Sequence, residues 1–320
     1  MAVFTPLTEA QVRHILADYD AGDYESHVGI LEGIQNSNFH VRTHKGAHLI
    51  LTVYEQRTSA DALPFFFAYT DHLANKGIPC PGPILNKRNE SSIIVAGKPA
   101  ALFPYLEGAC LNPAALKPVH CEDLGGFVAR MHLAAADFTL VRDNPLSLAG
   151  WGALADKTRA KADGVQAGLA RLIDDELAYL AQYWPRNLPH GAIHADIFPD
   201  NVFFRDDRVS AIIDFYYAAT DMLAYDLAIV INAWCFDQDY KFRPDYCRAL
   251  MNGYESVRSL SLAEKSAMPV LLRGASMRFL MTRLHDRVFH DSRSFVKPHD
   301  PLAYVARLKY HQHESLPVLT

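Results

Sequence analysis

The stretch HGAIHADIFPDNVFF, residues 190–204, decides how the whole chain is interpreted. It is a polar loop that runs into a short apolar strand, and its chemically capable side chains are His194, Asp196, Asp200 and Asn201. A charged turn at residues 205–208 leads to a second apolar segment, AIIDF at residues 211–215. Two strands joined by a turn pair as a hairpin, so Asp214 is expected to return beside the polar loop.

This arrangement indicates a metal site. Asp196, Asn201 and Asp214 are expected to converge, and their oxygen atoms suit Mg²⁺, which keeps several waters and takes further ligands from phosphates. The spacing His-x-Asp-x-x-x-x-Asn, followed by Asp-Phe after a hairpin, is also the pattern of the catalytic and metal loops of protein kinases. Asp and Asn are common turn residues. Here, however, the histidine, the spacing, the hairpin and the final aspartate all occur in the right order, which favours a chemical role.

The bulk composition sets the class of protein. A chain of 320 residues exceeds the usual size of one hydrophobic core, which predicts two lobes. Hydrophobic residues at 50% and charged residues at 21% are ordinary for a soluble globular protein. A formal charge of -5 argues against a large nucleic-acid surface. The five cysteines are scattered without a Cys-x-x-Cys pair, so neither a disulfide framework nor a zinc site is indicated.

The sequence also predicts a cytoplasmic location without membrane contact. The N-terminus lacks the basic and then apolar pattern of a signal peptide. The most apolar later run, residues 228–236, is too short to span a bilayer.

Hydrophobic periodicity predicts a strand-rich first part and a mostly helical second part, which meet near residues 104–108. The expected strands of the first part are residues 28–31, 38–42, 48–54, 92–95 and 99–103. Helices are expected at residues 8–19, 63–76, 120–136, 154–163, 174–183, 221–236, 244–257 and 262–288. The hairpin after residue 201 is expected to be the only strand interruption of the helical part.

The run at residues 194–201, with Ile213-Asp214-Phe215 and residues 225–228, resembles the aminoglycoside phosphotransferase and choline kinase-like family. A closer resemblance, to the homoserine kinases within that family, is carried by GIQNSNF (33–39), LTVYE (51–55), LPFF (63–66), IPCP (78–81), NAWCF (232–236) and KPHDPL (297–302). The resemblance covers nearly the whole chain. It implies an α+β, protein-kinase-like two-lobed fold, with residues 1–104 as the nucleotide-binding lobe and residues 105–320 as the catalytic and substrate-binding lobe.

The resemblance also implies roles for the polar loop. Asp196 is expected to be the catalytic base, which accepts the proton of the attacking hydroxyl. Asn201 and Asp214 are expected to hold Mg²⁺ on the phosphates of ATP. His194 is expected to brace the loop by hydrogen bonding, and Asp226 is interpreted as structural.

The nucleotide is expected to contact two segments of the first lobe. The turn that contains Gly33, Asn36, Ser37 and Asn38 takes the place of the phosphate-covering loop, because backbone N–H groups and small polar side chains bind anions. An ordinary hairpin turn is the alternative interpretation. The hinge at residues 103–106 contains Phe103 and Tyr105, and backbone groups of this segment are expected to face adenine; a simple linker that contains Pro104 is the alternative.

One departure from related kinases stands out. Their third strand carries a cation that pairs with a helix glutamate, whereas this strand has Thr52 and the next helix begins Pro64-Phe65-Phe66. Both partners are absent together, which is consistent, because one buried charge alone is unfavourable. The candidates for the missing cation, on sequence proximity, are Arg42, Lys45 and Arg57.

The implied acceptor is L-homoserine, whose carboxylate needs a cationic subsite. The helix at residues 262–288 carries several arginines, of which Arg278 and Arg283 are preferred for their apolar neighbours. Arginines at such spacings also serve as solvated faces or braces between helices. Further candidates for lining the cleft are Tyr216, Tyr217, Asn232 and Trp234, with core packing favoured for Trp234.

Two other functions stay open at this point. The same chemistry can act on another small alcohol, such as an aminoglycoside, choline or a thiosugar. A non-catalytic nucleotide-binding regulatory protein is the alternative from another class. It is disfavoured because a binding scaffold has no need of Asp196.

Overall fold

The computed structural model of the chain describes residues 3–31, 36–55, 60–290 and 297–314. Two compact units can be distinguished. The first comprises Met1–Ala109 with Ser210–Tyr216, and the second comprises Cys110–Val209 with Tyr217–Thr320. Asp214 therefore belongs to the first unit, whereas the polar loop that precedes it, residues 190–204, belongs to the second. The functional assignment of residues 1–104 and 105–320 as two lobes stays a prediction.

The first unit is built on a five-stranded sheet. Its strands are β1 (Tyr24–Ile30), β2 (Ser37–Thr43), β3 (His48–Val53), β4 (Ile93–Val95) and β5 (Lys98–Pro104). Their order is β1-β2-β3-β5-β4, and every neighbouring pair is antiparallel. All five correspond to predicted strands, with ends shifted by up to four residues, as is usual for pattern-based boundaries.

Two helices accompany this sheet, α1 (Glu9–Ala17) and α2 (Leu63–Asn75). A capping box of Thr8 and Gln11 begins α1, which lies within the helix predicted at residues 8–19. The apolar face of α1 joins one core with alternate residues of β2 and β3, because successive strand side chains point to opposite faces of a sheet. The other sheet face therefore carries Asn38 and Thr52, which hydrogen-bond across the two strands.

The second unit is mainly helical. Its helices are α3 (Pro118–Ala134), α4 (Leu148–Ala162), α5 (Leu169–Tyr183), α6 (Leu223–Trp234), α7 (Pro244–Glu255), α8 (Leu262–Val288) and α9 (Leu302–His313). The ends of α8 match the prediction, and a capping box of Ser261 and Glu264 fixes its start. Helix α9 was not predicted. None of the helices in the described part of the chain is long and apolar enough to span a membrane.

The remaining strands are short. They are β6 (Ala109–Cys110), β7 (His190–Ile193), β8 (Val202–Arg205), β9 (Arg208–Ile212) and β10 (Ala219–Met222). The predicted hairpin is present as the neighbours β8 and β9, whose turn has Asp206 and Asp207 at positive φ. The prediction that this hairpin is the only strand interruption is wrong, because β7 and β10 also pair. Each has four residues, and their pairing is distant in sequence, so periodicity gave no signal.

Helices α3 and α7 approach each other at glycine. A Cβ atom added to Gly253 would collide with the backbone carbonyl of Glu122, and one added to Gly125 would collide with that of Leu250. The two backbones are therefore in direct contact, which no larger residue permits at either position.

Candidate active site

The polar loop is held by a buried carboxylate. The backbone N–H groups of His194 and Ala195 donate hydrogen bonds to the two oxygens of Asp226, at 3.0 and 2.8 Å. Ala195 has φ +64°, a conformation that is unfavourable for a non-glycine residue. The structural interpretation of Asp226 is thus supported, and its function is to fix the backbone from which Asp196 projects.

Asp226 stays ionised although it is fully buried. Burial by itself raises the pKa of a carboxyl group, but the hydrogen bond from His132 and the nearby histidines outweigh that effect and lower the pKa of Asp226 below its usual value. His132 Nε2 lies 3.1 Å from Asp226, and its Nδ1 lies 2.8 Å from the Tyr254 hydroxyl. A charged and satisfied Asp226 can therefore hold both N–H groups of the loop.

Asp196 and Asn201 are close together, as predicted. Asn201 Nδ2 donates to the Asp196 backbone oxygen at 2.9 Å and lies 3.4 Å from Asp196 Oδ2. The Asp196 N–H donates to Nδ1 of the buried His194, so His194 braces the loop as expected. Because the Asn201 amide nitrogen is used in these bonds, its oxygen is the atom that can face a ligand. An amide oxygen is a donor that Mg²⁺ accepts.

Arg278 of α8 reaches this loop from the core of the second unit. Its Nη1 donates to the Ala195 carbonyl, and its Nη2 lies 3.8 Å from Asp196 Oδ1. The Arg278 side chain is only 2% exposed. The sequence thus selected an arginine that contacts the predicted base, although Arg278 also supports the strained backbone at Ala195.

The other arginines of α8 differ from Arg278. Arg283 donates to the Asp300 carbonyl at 3.3 Å, and its guanidinium lies 4.7 Å from the centre of the Tyr304 ring. Arg273 forms two 2.7 Å hydrogen bonds with Glu176, which makes it a brace between α5 and α8. Only Arg278, among the arginines of this helix, forms an ion pair with Asp196 within the described residues.

The aromatic and amide residues after the hairpin, which were candidates for lining the cleft, occupy different environments in the structure. Trp234 is buried and donates from its indole nitrogen to the Ile197 carbonyl at 2.9 Å, so it packs in the core and supports the loop. Asn232 is also buried and bonds to α8 and to His311 of α9. The suggestion that Asn232 lines a cleft is therefore wrong. Tyr217 lies with its ring 5.4 Å from the Arg278 guanidinium.

In the first unit, the predicted phosphate-binding turn is only partly described, and Gly33 lies outside the described residues. Asn36 accepts a hydrogen bond from the Glu55 N–H at 3.2 Å. The buried Ser37 hydroxyl donates to Glu55 and accepts from the N–H groups of Phe4 and Thr5. These bonds use the full capacity of a hydroxyl group. The Ser37 side chain therefore holds the strand, and its predicted contact with phosphate stays a prediction.

The third-strand position is occupied by Thr52, whose hydroxyl donates to Asn38 Oδ1 at 2.8 Å. Arg42 pairs with His48, at the end of β2 opposite to Ser37, which pairs with Val53. Because a strand rises about 3.3 Å per residue, the two ends of β2 lie well over 10 Å apart. Arg42 and the following turn residue Lys45 are thus placed too far from the predicted phosphate turn, while Arg57 lies outside the described residues. Sequence reasoning missed the ion pair of Lys98 with Glu55 at the near end.

The hinge residues have fewer backbone groups available to adenine than the sequence predicts. Phe103 is buried in β5, with its ring 6.1 Å from that of Phe67. The Tyr105 N–H donates to the His48 carbonyl at 3.0 Å, so this group is not available to adenine. The Tyr105 ring is 43% exposed and lies 5.0 Å from the ring of His40. A ring contact is the remaining way in which Tyr105 can meet a base.

Asp214 has φ +68°, and the residues after it are anchored in the first unit by aromatic contacts. The Phe215 ring lies 5.7 Å from that of Tyr69 in α2, and the Tyr216 hydroxyl donates to the Tyr54 hydroxyl at 3.3 Å. Positive φ at a non-glycine residue persists only where the surroundings enforce it. Aromatic packing on α2 therefore fixes the segment that follows Asp214. The glutamate that related kinases carry on the corresponding helix is absent from α2.

Comparison with known proteins identifies the family. Residues 27–260 match the phosphotransferase enzyme family. The chain belongs to this family. The homoserine kinase of Parvibaculum lavamentivorans is 48% identical to this phosphotransferase over 317 residues, which cover 99% of this chain and 98% of that protein. The homoserine kinase of Allorhizobium ampelinum is 49% identical over 312 residues, covering 98% and 96%. The resemblance to the homoserine kinases of this family is therefore confirmed.

The phosphotransferase also resembles solved structures of kinases. An amicoumacin kinase in complex with AMP-PNP and Ca²⁺ aligns with a TM-score of 0.69 and 16% identity, over 96% of this chain and 93% of that chain. At this identity the likeness concerns the fold alone, and it confirms the predicted α+β, protein-kinase-like class.

Proposed function

We propose that this phosphotransferase transfers the γ-phosphoryl group of ATP, with Mg²⁺, to the hydroxyl of L-homoserine and forms O-phospho-L-homoserine. The supporting observation is 48–49% identity to two homoserine kinases over nearly the full length of each protein. Such coverage includes both the polar loop and the arginine-bearing helix α8.

In the proposed reaction Asp196 accepts the proton of the homoserine hydroxyl. Phosphoryl transfer has a loose transition state, so positioning of the acceptor matters more than the strength of the base. The loop meets this requirement because Asp226, His194 and Arg278 fix it through bonds to its backbone.

The metal site is proposed to use the amide oxygen of Asn201 and the carboxylate of Asp214. Both are hard oxygen donors, and so few protein ligands suit Mg²⁺, which completes its shell with water and phosphate oxygens. When bound, Mg²⁺ neutralises charge on the phosphates.

Nucleotide binding is proposed to involve the turn with Gly33, Asn36 and Asn38 and the hinge at Phe103 and Tyr105. The Asn38 amide oxygen is used by Thr52, so a phosphate contact from this side chain requires its N–H groups. The exposed ring of Tyr105 supplies a surface for adenine.

An acceptor panel tests the proposal. Purified protein with Mg·ATP is offered L-homoserine, choline, an aminoglycoside and a thiosugar, while ADP release and the phosphorylated product are measured. We expect the highest kcat/KM for L-homoserine. A higher value for another alcohol would overturn the acceptor assignment, and transfer to none of the panel would overturn the proposal of this enzymatic activity.

A further inference from the structure

Two buried polar atoms beside the polar loop have no hydrogen-bond partner within the described ranges. They are Nε of Arg278 in α8 and the hydroxyl of Tyr304 in α9. Both residues are 1% exposed. Phe279 contacts both residues, with its ring centre 4.6 Å from the Arg278 guanidinium and 5.1 Å from the centre of the Tyr304 ring. Buried donors are nearly always satisfied in folded proteins, so two unsatisfied ones against the same ring call for a ligand or another function.

The surroundings of Tyr304 are cationic. The guanidinium groups of Arg283 and Arg307 lie 4.7 and 4.8 Å from the centre of its ring. Hydrogen bonds from these two arginines reach backbone carbonyls, as far as the described residues show. Electrostatic interactions also connect the Tyr304 hydroxyl with Asp196 and Arg278. Two arginines therefore lie against the Tyr304 ring, and Arg278 and Asp196 interact electrostatically with its hydroxyl.

We propose that Tyr304 and Arg278 form the subsite for the carboxylate of the amino-acid acceptor, with the Tyr304 hydroxyl and Arg278 Nε as donors. This assignment rests on the proposed function. The proposal adds Tyr304 of α9, the last described helix, to the residues that determine acceptor specificity. Tyr304 was not predicted from the sequence, because it lies beyond residues 297–302, the last segment that carries the family resemblance.

The size of the acceptor agrees with the subsite. In homoserine only three carbon atoms separate the hydroxyl from the carboxylate carbon, so a residue that binds the carboxylate must lie close to the base. Arg278 meets this condition, with its Nη2 at 3.8 Å from Asp196 Oδ1. A site whose buried donors need a carboxylate rejects analogues that lack one, because the donors then stay unpaired.

The test removes one hydroxyl and varies the acceptor. Tyr304→Phe keeps the ring packing, and we expect KM for L-homoserine to rise roughly 10- to 100-fold with little change in kcat, as for loss of a bond to a charged group. The same rise is expected for 4-hydroxybutyrate, which keeps the carboxylate and lacks the ammonium. No rise is expected for 3-aminopropan-1-ol, which lacks the carboxylate. Both analogues are measured as substrates or as competitive inhibitors of homoserine phosphorylation.

Tyr19→Phe is the matched control, because the Tyr19 hydroxyl is also buried without a partner in the described structure and belongs to the first unit. Its kinetics should equal those of the unmodified protein. An unchanged KM for L-homoserine in Tyr304→Phe, or an equal rise for 3-aminopropan-1-ol, would overturn the subsite. If the unmodified protein itself does not phosphorylate L-homoserine, the proposed function fails first, and the two failures are thus distinguished.

Discussion

Arg278 and Asp196 form a largely buried ion pair, with 3.8 Å between Nη2 and Oδ1 and side-chain exposures of 2% and 16%. A buried guanidinium is unfavourable unless a carboxylate compensates it. Asp196 therefore has two functions in the proposed enzyme. It accepts a proton during the reaction, and it neutralises the arginine that supports its own loop.

The first prediction concerns Asp196→Asn. Loss of a general base typically lowers the rate by about 10²–10⁴-fold, so we expect kcat on L-homoserine to fall at least within that range while ATP affinity is retained. Because Arg278 loses its counterion, the free energy of unfolding should also fall, by about 1–3 kcal/mol. Steady-state kinetics, nucleotide titration and chemical denaturation measure the three quantities. Near-normal turnover in the folded variant would contradict the assignment of the base.

The second prediction concerns Asp214→Ala. If Asp214 is a metal ligand as proposed, its removal should weaken the Mg²⁺-dependent part of ATP affinity by at least about 10-fold and leave metal-free binding unchanged. Calorimetric titration with and without Mg²⁺ measures both. Asp206→Ala is the control, because Asp206 is an exposed aspartate that also has positive φ. Equal losses in the two variants would point to backbone strain and not to metal binding.

The third prediction concerns Thr52. Thr52→Lys places an ammonium at a position that is buried and bonded to Asn38, so the free energy of unfolding should fall by at least about 2 kcal/mol and turnover should not improve. Thr52→Val keeps the shape and removes the hydrogen bond, for a loss of about 1 kcal/mol. A large gain in kcat with lysine would show that this strand does need a cation.

The fourth prediction is a pH dependence of stability. Burial lowers the pKa of His311 to about 3, and Arg307 and Arg273 add to the shift. Between that value and the ordinary value of about 6.5, the unfolded chain binds the proton and the folded chain does not, so stability decreases as the pH falls. The loss should reach roughly 2 kcal/mol at pH 5 and be absent above pH 7.

Urea denaturation across pH 4.5–8 tests the role of His311. His311→Gln should flatten the decrease, whereas His313→Gln, at an exposed position of the same helix, should retain it. A profile that His311→Gln leaves unchanged would mean that other groups cause the acid sensitivity.

The fifth prediction uses the crossing of α3 and α7. Gly253→Ala favours the helix by about 1 kcal/mol through propensity, but its Cβ meets the Glu122 carbonyl. The overlap should dominate, with a net loss of about 1–3 kcal/mol in the free energy of unfolding. Gly152→Ala in α4, where nothing lies near the added atom, should be neutral or stabilising. A Gly253→Ala protein as stable as Gly152→Ala would contradict the close approach.

The sequence predicted those parts of the fold that depend on local patterns. The strands of the first unit, the bounds of α8, and the contact of Asp196 with Asn201 all follow from residues close in the chain. The pairing of β7 with β10 was missed because it joins segments that are distant in sequence. Helix α9 was also missed, although the Leu302 N–H at its start donates a hydrogen bond to the Asp300 side chain at 3.1 Å.

The site shows the same division. The spacing of the polar loop predicted that Asn201 lies near Asp196, and apolar neighbours singled out Arg278, which contacts Asp196. The occupation of the Ser37 hydroxyl by Phe4 and Thr5 was not predictable, since it depends on where the N-terminal segment passes. The place of Tyr304 likewise depends on the packing of α9 against α8, to which no local pattern points.

Helix α9 is synthesised after all other described elements of the chain. A chain leaves the ribosome from its N-terminus, and its early parts fold first. The loop with Asp196 is complete long before α9, the last described element, has emerged. If Tyr304 binds the acceptor, a nascent chain that already contains Asp196 still lacks a side chain that recognises the acceptor carboxylate. A premature stop codon just before residue 302 would therefore remove Tyr304 from the proposed acceptor subsite, together with the hydrogen bond from Arg307 to the Asn232 carbonyl in the core of the second unit.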